Sequence, residues 1–250
     1  MRIFSFILFV FYSPMVFGQA DNEIQVYASP TIQDKWTIFE LHNNYTFNGS
    51  KYLQNARSAR WFNKTLEITH GFGENFEIGL YTFTSIAPGG YFHYQGNQVR
   101  PRLTVPEKLH WPFGASLSLE FGFFKPDDTT KISWQGEVRP IMDKTFGNWY
   151  FSFNPNIGFV VNGDEKGSEI APQFKTVYTI QKVGVGFEYY GALGSFKKLV
   201  PVKMQEHLLG PMIDLYLHSM WEINVGVLFG LTPNSNQQIL KVLIGRRIGK

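Results

Sequence analysis

The chain has no cysteine, which excludes a disulfide scaffold and any thiolate metal site. Beyond residue 20 it has no run near the roughly 20 apolar residues a membrane helix needs. Charged residues are few, 17%, and the net charge of +3 is interspersed along the chain, so no basic face offers itself to nucleic acid. Catalytic signatures are missing as well: there is no GxSxG elbow, no HExxH pair and no glycine-rich phosphate loop running from a strand into a helix. The six histidines, at 42, 70, 93, 110, 207 and 218, show no metal-ligand spacing. His218 and Ser219 are neighbours in a turn, a poor nucleophile–base pair. The residues alone thus predict no metal, no cofactor and no enzymatic activity. Asn-x-Ser/Thr triplets occur at 44, 48 and 63 and match the glycosylation sequon.

What is present begins with MRIFSFILFVFYSPMVFGQA, residues 1–20. An early Arg2, an apolar run from Ile3 to Tyr12 and a small-residue exit, Val16-Phe17-Gly18 or Gly18-Gln19-Ala20, make a secretory signal peptide. DNEIQVYASPTIQDK (21–35) follows and reads as a periplasmic N-terminal segment, with a plug inside a barrel as its alternative role.

From residue 36 onward the dominant signal is period two. In SMWEINVGVLFGLT (219–232), Trp221, Ile223, Val225, Val227, Phe229 and Leu231 share one face, while Glu222, Asn224, Gly226, Leu228, Gly230 and Thr232 share the other. The same alternation recurs at 39–47, 115–123, 149–161 and 183–190. Turn residues cut the chain into twelve strands near 36–48, 61–71, 76–85, 91–104, 114–125, 131–142, 148–162, 170–181, 182–193, 206–217, 219–231 and 238–249. Short connections (70–75, 143–148, 181–182, 217–220) alternate with mostly longer polar ones (48–60, 125–130, 162–168, 194–205). The long stretch 100–114 falls on the short side by count. Eleven residues at about 3.3 Å each, tilted some 40°, rise roughly 28 Å, the height of an outer-membrane apolar band. Trp36, Trp61, Trp111, Trp149, Trp221 and Tyr216 gather at strand ends, as a membrane girdle requires. A secreted β-sandwich would put Lys and Thr on its polar face; here that face is Gly, Ser, Asn and Glu. The expectation is an all-β fold, one antiparallel up-and-down transmembrane barrel over 36–250 in the bacterial outer membrane.

Parity then assigns residues to the lumen. The acids are Glu40, Glu67, Glu77, Glu120, Glu137, Glu188, Asp214 and Glu222; the bases are Arg100, Arg102, Arg139, Lys175, Lys241 and Arg247. Tyr190 and Asn224 share that face. Such a mixed-sign set either braces the wall by mutual pairing or forms a selectivity lining. Lys64, His70, His207 and Arg246 fall on the outward parity near strand ends, where long side chains snorkel cheaply.

Several runs of the second half carry a resemblance: WQGEVRP (134–140), APQFKTVY (171–178), GVGFEYYGALG (184–194), EHLLGPMIDLYL (206–217) and SNQQILKVLIGRRI (235–248). Together they resemble the bacterial outer-membrane transporter family labelled MetA-pathway of phenol degradation. The resemblance covers most of 114–248, and Glu137, Arg139, Pro172, Lys175, Glu188, Tyr190, Gly210, Pro211, Asp214 and Lys241 match its recurrent positions. It implies a channel passing small solutes, aromatic or apolar ones among them. The implied partners are outer-membrane lipid, the solute and the outer-membrane insertion machinery. The chain departs from common barrel practice by ending Arg246-Arg247-Ile248-Gly249-Lys250, with Ile248 in place of a terminal aromatic. Two other readings remain open. One is an outer-membrane lipid-modifying enzyme, with His70 or His207 at its site; the other is a plugged structural or receptor barrel.

Overall fold

The computed structural model describes residues 22–52, 59–125, 131–162 and 167–249. The signal peptide expected at 1–20, Asp21, parts of three loops (53–58, 126–130 and 163–166) and Lys250 lie outside the described residues.

Twelve long strands close into one antiparallel barrel. They are β1 (Thr37–Asn48), β2 (Phe62–Gly71), β3 (Phe76–Ile86), β4 (Phe92–Thr104), β5 (Gly114–Phe124), β6 (Ser133–Phe146), β7 (Trp149–Val160), β8 (Gly167–Ile180), β9 (Val183–Ala192), β12 (Glu206–Leu215), β13 (Trp221–Gly230) and β14 (Gln238–Ile248). A two-residue ribbon, β10 (Gly194–Ser195) with β11 (Lys198–Leu199), sits in the connection between β9 and β12. Each long strand pairs with its predecessor along the chain, and β1 pairs with β14 to seal the wall, Glu40 opposite Gly245. Closure removes every sheet edge, the condition for a sheet to sit in lipid.

The alternation sorts residues as the sequence predicts. On β5, Leu117, Leu119 and Phe121 are exposed outward, whereas Ser116, Ser118 and Glu120 are buried inside. On β9, Val185 and Phe187 face out and Glu188 and Tyr190 face in. The outward parity of Lys64, His70, His207 and Arg246 is met by local contacts. Lys64 lies over the Phe62 ring, Arg246 over Trp221, His70 beside Thr37 Oγ1, and His207 between Tyr189 and Gln205. The girdle holds only in part. Trp111, Trp149 and Trp221 are exposed, but Trp61 is buried and stacked on His93, because it shares the inward parity of Asn63, Thr65 and Glu67. Trp36 and Tyr216 line openings at the rim. In β4 a bulge at Gln95 shifts the register against β3, with Gly96 at φ +145°, a conformation open to glycine.

The interior is not empty. Residues 22–29 lie inside the wall without strand pairing, and 30–33 lead out to its rim. Asn22, Glu23, Ile24, Val26, Tyr27 and Ser29 are all buried. The segment passes through the end of the barrel at which β1 begins and β14 finishes. There Trp36 and Gly71 bond through their backbones, and Gly73 N–H donates to Asp34 Oδ1 at 2.7 Å. Gly71 is required at that point, because a Cβ would overlap the carbonyls of Ile32 and Gln33.

Candidate functional site

Side chains of the inner segment reach opposite walls of the barrel. Ile24 and Val26 pack on an apolar patch made by Tyr190, Leu208, Leu228 and Ile239. Glu23, Tyr27 and Ser29 turn to the charged wall of β2–β7. The Tyr27 ring has three guanidinium groups around it, those of Arg139, Arg100 and Arg102 at 4.6, 4.9 and 5.6 Å from its centroid. Its hydroxyl lies 2.6 Å from Glu23 Oε1, 3.0 Å from Glu67 Oε2 and 2.8 Å from the Tyr81 hydroxyl. Burial, then the neighbouring carboxylates of Glu23 and Glu67, push that hydroxyl well above its ordinary pKa, so it stays protonated and able to donate.

The segment's backbone is satisfied by wall side chains and not by a strand ladder. Tyr27 N–H donates to Asn154 Oδ1 at 2.8 Å, and Ser152 Oγ donates to Tyr27 O at 2.6 Å. Arg102 donates to the carbonyls of Ala28 and Pro30, both at 2.9 Å. Ser29 gives both its N–H and its hydroxyl to Asp143, and Ile32 N–H donates to Glu77 Oε2 at 2.6 Å.

The predicted lumen residues fall into two ionic groups. On β2–β6, Arg100 bridges Glu67 and Glu77 at 2.5 and 2.8 Å, and Arg102 also holds Glu77 at 2.8 Å. Arg139 gathers Glu137 at 2.6 Å, Glu120 at 3.2 Å and Glu23 of the inner segment at 3.3 Å. Across the barrel, Lys241 pairs with Glu188 at 2.5 Å, and Lys175 with Asp214 at 2.9 Å and Glu188 at 3.5 Å. Tyr190 donates to Glu188, and Asn224 to Asp214 at 2.7 Å. Arg247 and Glu222 pair at 3.0 Å near the rim, half in solvent. Glu40 is buried but joins neither group.

Three features escaped the sequence reading. Glu169 lies on β8 and is buried, but the strand was expected to begin at 170. Asp143 holds Ser29, a contact between residues 114 apart. Glu40, His42 and Glu67 bring three ligand-type atoms within 4.8 Å of one another; histidine spacing along the chain hides this because Glu67 arrives from the neighbouring strand.

Two openings remain beside the inner segment. A mouth of about 1240 Å³ at the end where β1 begins and β14 finishes is lined by Ala28–Gln33, Trp36, Pro106, Asp143 and Arg247 among others. A cleft of about 400 Å³ runs between the inner segment and the wall of β7–β9 and β12–β14, past Tyr150, Lys175, Glu188, Asp214, Tyr216, Trp221 and Lys241. Ala28, Ser219 and Arg247 border both.

No family model and no curated protein matches the sequence. Solved structures do match in shape. An outer membrane channel from Pseudomonas putida F1 superposes with a TM-score of 0.62 over 90% of this chain and 100% of that one, at 9% identity. The KdgM porin gives 0.53 over 84% and 98%, at 13% identity. The NanC porin gives 0.53 over 85% and 99%, at 8% identity. At such identities the likeness is one of fold: the chain is a twelve-stranded closed barrel of the kind seen in outer-membrane channels and porins.

Proposed function

We propose that the protein is an outer-membrane channel for small solutes whose lumen is narrowed by its own N-terminal segment. The observation that carries this reading is the cleft beside the segment, continuous in its lining with the wider mouth. The outward apolar belt would meet lipid, and the end where β1 begins and β14 finishes would face the periplasm, as the even strand count and short turns of bacterial barrels have it. Delivery there would need a cleaved signal at 1–20 and the outer-membrane insertion machinery.

The cleft also bears on solute class. Tyr150, Tyr216, Trp221 and Leu243 give it an aromatic and apolar side, and Lys175, Glu188, Asp214 and Lys241 give it alternating charge. A small molecule with an aromatic or apolar body and one polar or charged group suits such a lining. In this reading the lumen set of Glu67, Glu120, Glu137, Arg139, Lys175, Glu188, Tyr190, Asp214, Glu222, Asn224, Lys241 and Arg247 divides by role, with Glu40 standing apart. The β2–β6 group braces the inner segment, and the β8–β14 group lines the path.

Reconstitution in a planar bilayer tests the proposal. Discrete small conductance steps, with ion selectivity altered by Lys175→Glu, are the expected result. A silent bilayer from protein with heat-dependent gel mobility would favour the plugged barrel, which the dense contacts of Tyr27 also support.

A further inference from the structure

Most buried carboxylates in the barrel are accounted for by a basic partner, but the Glu40 region is not. Glu40 and His42 lie two apart on β1 and therefore project to the same face, and Glu67 is directly opposite Glu40 on β2. Glu40 is 5% exposed, and among the described residues it makes no hydrogen bond or ion pair. His42 is 1% exposed, and neither ring nitrogen has a hydrogen-bond partner. Its Nε2 sits 3.4 Å from Glu67 Oε2. Leaving an imidazole enclosed without a hydrogen bond is costly, and it converges on one point with two carboxylates.

We infer that Glu40, His42 and Glu67 form a binding site for a divalent transition-metal cation of the zinc class. One imidazole nitrogen with two carboxylate oxygens is a donor set that such ions take, a water completing the shell. Two donors each about 2.1 Å from one ion stand no more than about 4.2 Å apart, while these atoms lie within 4.8 Å of one another. The gap closes by a small side-chain rotation, and Glu40 is free to make it. Glu67 is already oriented: Arg100 and Thr69 hold its Oε1 at 2.5 and 2.7 Å, which turns Oε2 toward His42. Supporting bonds of this kind fix metal ligands in place. Arg100 opposes a second cation, but among the described residues nine buried acids stand against four buried Lys and Arg.

An access route lies in the same register row. Glu222 on β13, Gly245 on β14, Glu40 on β1 and Glu67 on β2 are successive partners. Glu222 is partly exposed and lines the cleft. Gly245 between them carries no side chain, and Glu222 Cβ and Glu40 Cγ close over it, each 3.1 Å from where a Cβ would stand, so the two acids are near neighbours across that strand. A cation drawn to Glu222 would thus lie next to Glu40 in that row. The site stands whether or not the barrel conducts.

The test uses the full mature chain folded in detergent, stripped with chelator and titrated with Zn²⁺ in a calorimeter. The expected result is one Zn²⁺ per chain, with affinity lowered at least tenfold in Glu40→Gln and in His42→Gln and unchanged in Glu169→Gln, a buried carboxylate on β8. Should a variant fail to fold by its heat-dependent gel mobility, the parent loaded with Co²⁺ decides. A paramagnetically shifted exchangeable imidazole proton supports the site, and its absence overturns it. No stoichiometric Zn²⁺, or equal affinity in both ligand variants, also overturns it.

Discussion

Tyr27→Ala should unlatch the inner segment. The tyrosine contributes three kinds of contact. Burying its ring is worth roughly 2 kcal/mol. Its contacts with Arg139, Arg100 and Arg102 at 4.6–5.6 Å add about 0.5–1 kcal/mol each, taking the low end because all three guanidiniums are already paired. The hydroxyl, shared among Glu23, Glu67 and Tyr81, adds about 1 kcal/mol net. The sum is about 4–6 kcal/mol, and at 1.4 kcal/mol per tenfold the displaced population should rise about a thousandfold or more. Because the chain has no cysteine, Val26→Cys provides a single buried reporter, and reaction with a small charged thiol reagent reads its exposure. Labelling should accelerate by about three orders of magnitude or more in the Tyr27→Ala background, with Tyr27→Phe giving a smaller rise of about fivefold through loss of the hydroxyl alone. A folded Tyr27→Ala barrel that labels at the parental rate would refute the latch.

Two further substitutions separate the segment from the wall. In Gly114→Ala the new Cβ would overlap both Ser29 Oγ and Asp143 Oδ1, so the segment should lose that anchor while the ionic groups stay intact, seen as faster labelling at position 26 without a change in ion selectivity. Glu137→Lys acts on the wall: it removes one of the three acids around Arg139 and sets a second buried cation beside it. Breaking a buried pair costs about 3–5 kcal/mol, so the variant should lose its heat-resistant gel mobility at lower temperature, and any conducting fraction should shift its reversal potential toward anions.

How much of this was legible in the sequence follows from what each feature depends on. Strand positions and wall parity depend on local alternation, which is why Glu120, Glu137, Glu188 and Asp214 could be placed inside from residues alone. A side chain's partners depend on neighbours brought in by register, and a single sequence carries no register. So Arg139 was expected inside, but its grip on Glu23 was not. The inner segment is a sharper case. Its alternation is present, Ile24 and Val26 against Glu23 and Tyr27, but an extended strand without ladder bonds has no turn or pairing signal to say which body it enters. The tryptophans misled for a related reason: Trp61 stands at a strand end, as a girdle residue would, yet its parity turns it inward.

The way the segment is held also decides what its removal should do. A wall strand cannot leave, because its departure would orphan two rows of backbone groups. Residues 22–33 are bound through side chains of the wall: Asn154 and Ser152 on Tyr27, Thr65 and Asn44 on the Asn22 carbonyl, Arg102 on Ala28 and Pro30. Water can replace each of these once the lumen floods, and the wall arginines keep their carboxylates, Arg100 with Glu67 and Glu77, Arg139 with Glu120 and Glu137. Only Glu23 leaves with the segment, taking one charge from around Arg139. The apolar patch of Leu208, Leu228 and Ile239 becomes wet, at a cost of roughly 25 cal/mol per Å² uncovered, which a closed twelve-strand ladder can absorb. A chain lacking 22–33 should therefore still fold to a heat-modifiable barrel and show a larger, steadier conductance than the parent. Failure of that barrel to fold would mean that the segment is part of the core and not an occupant of the lumen.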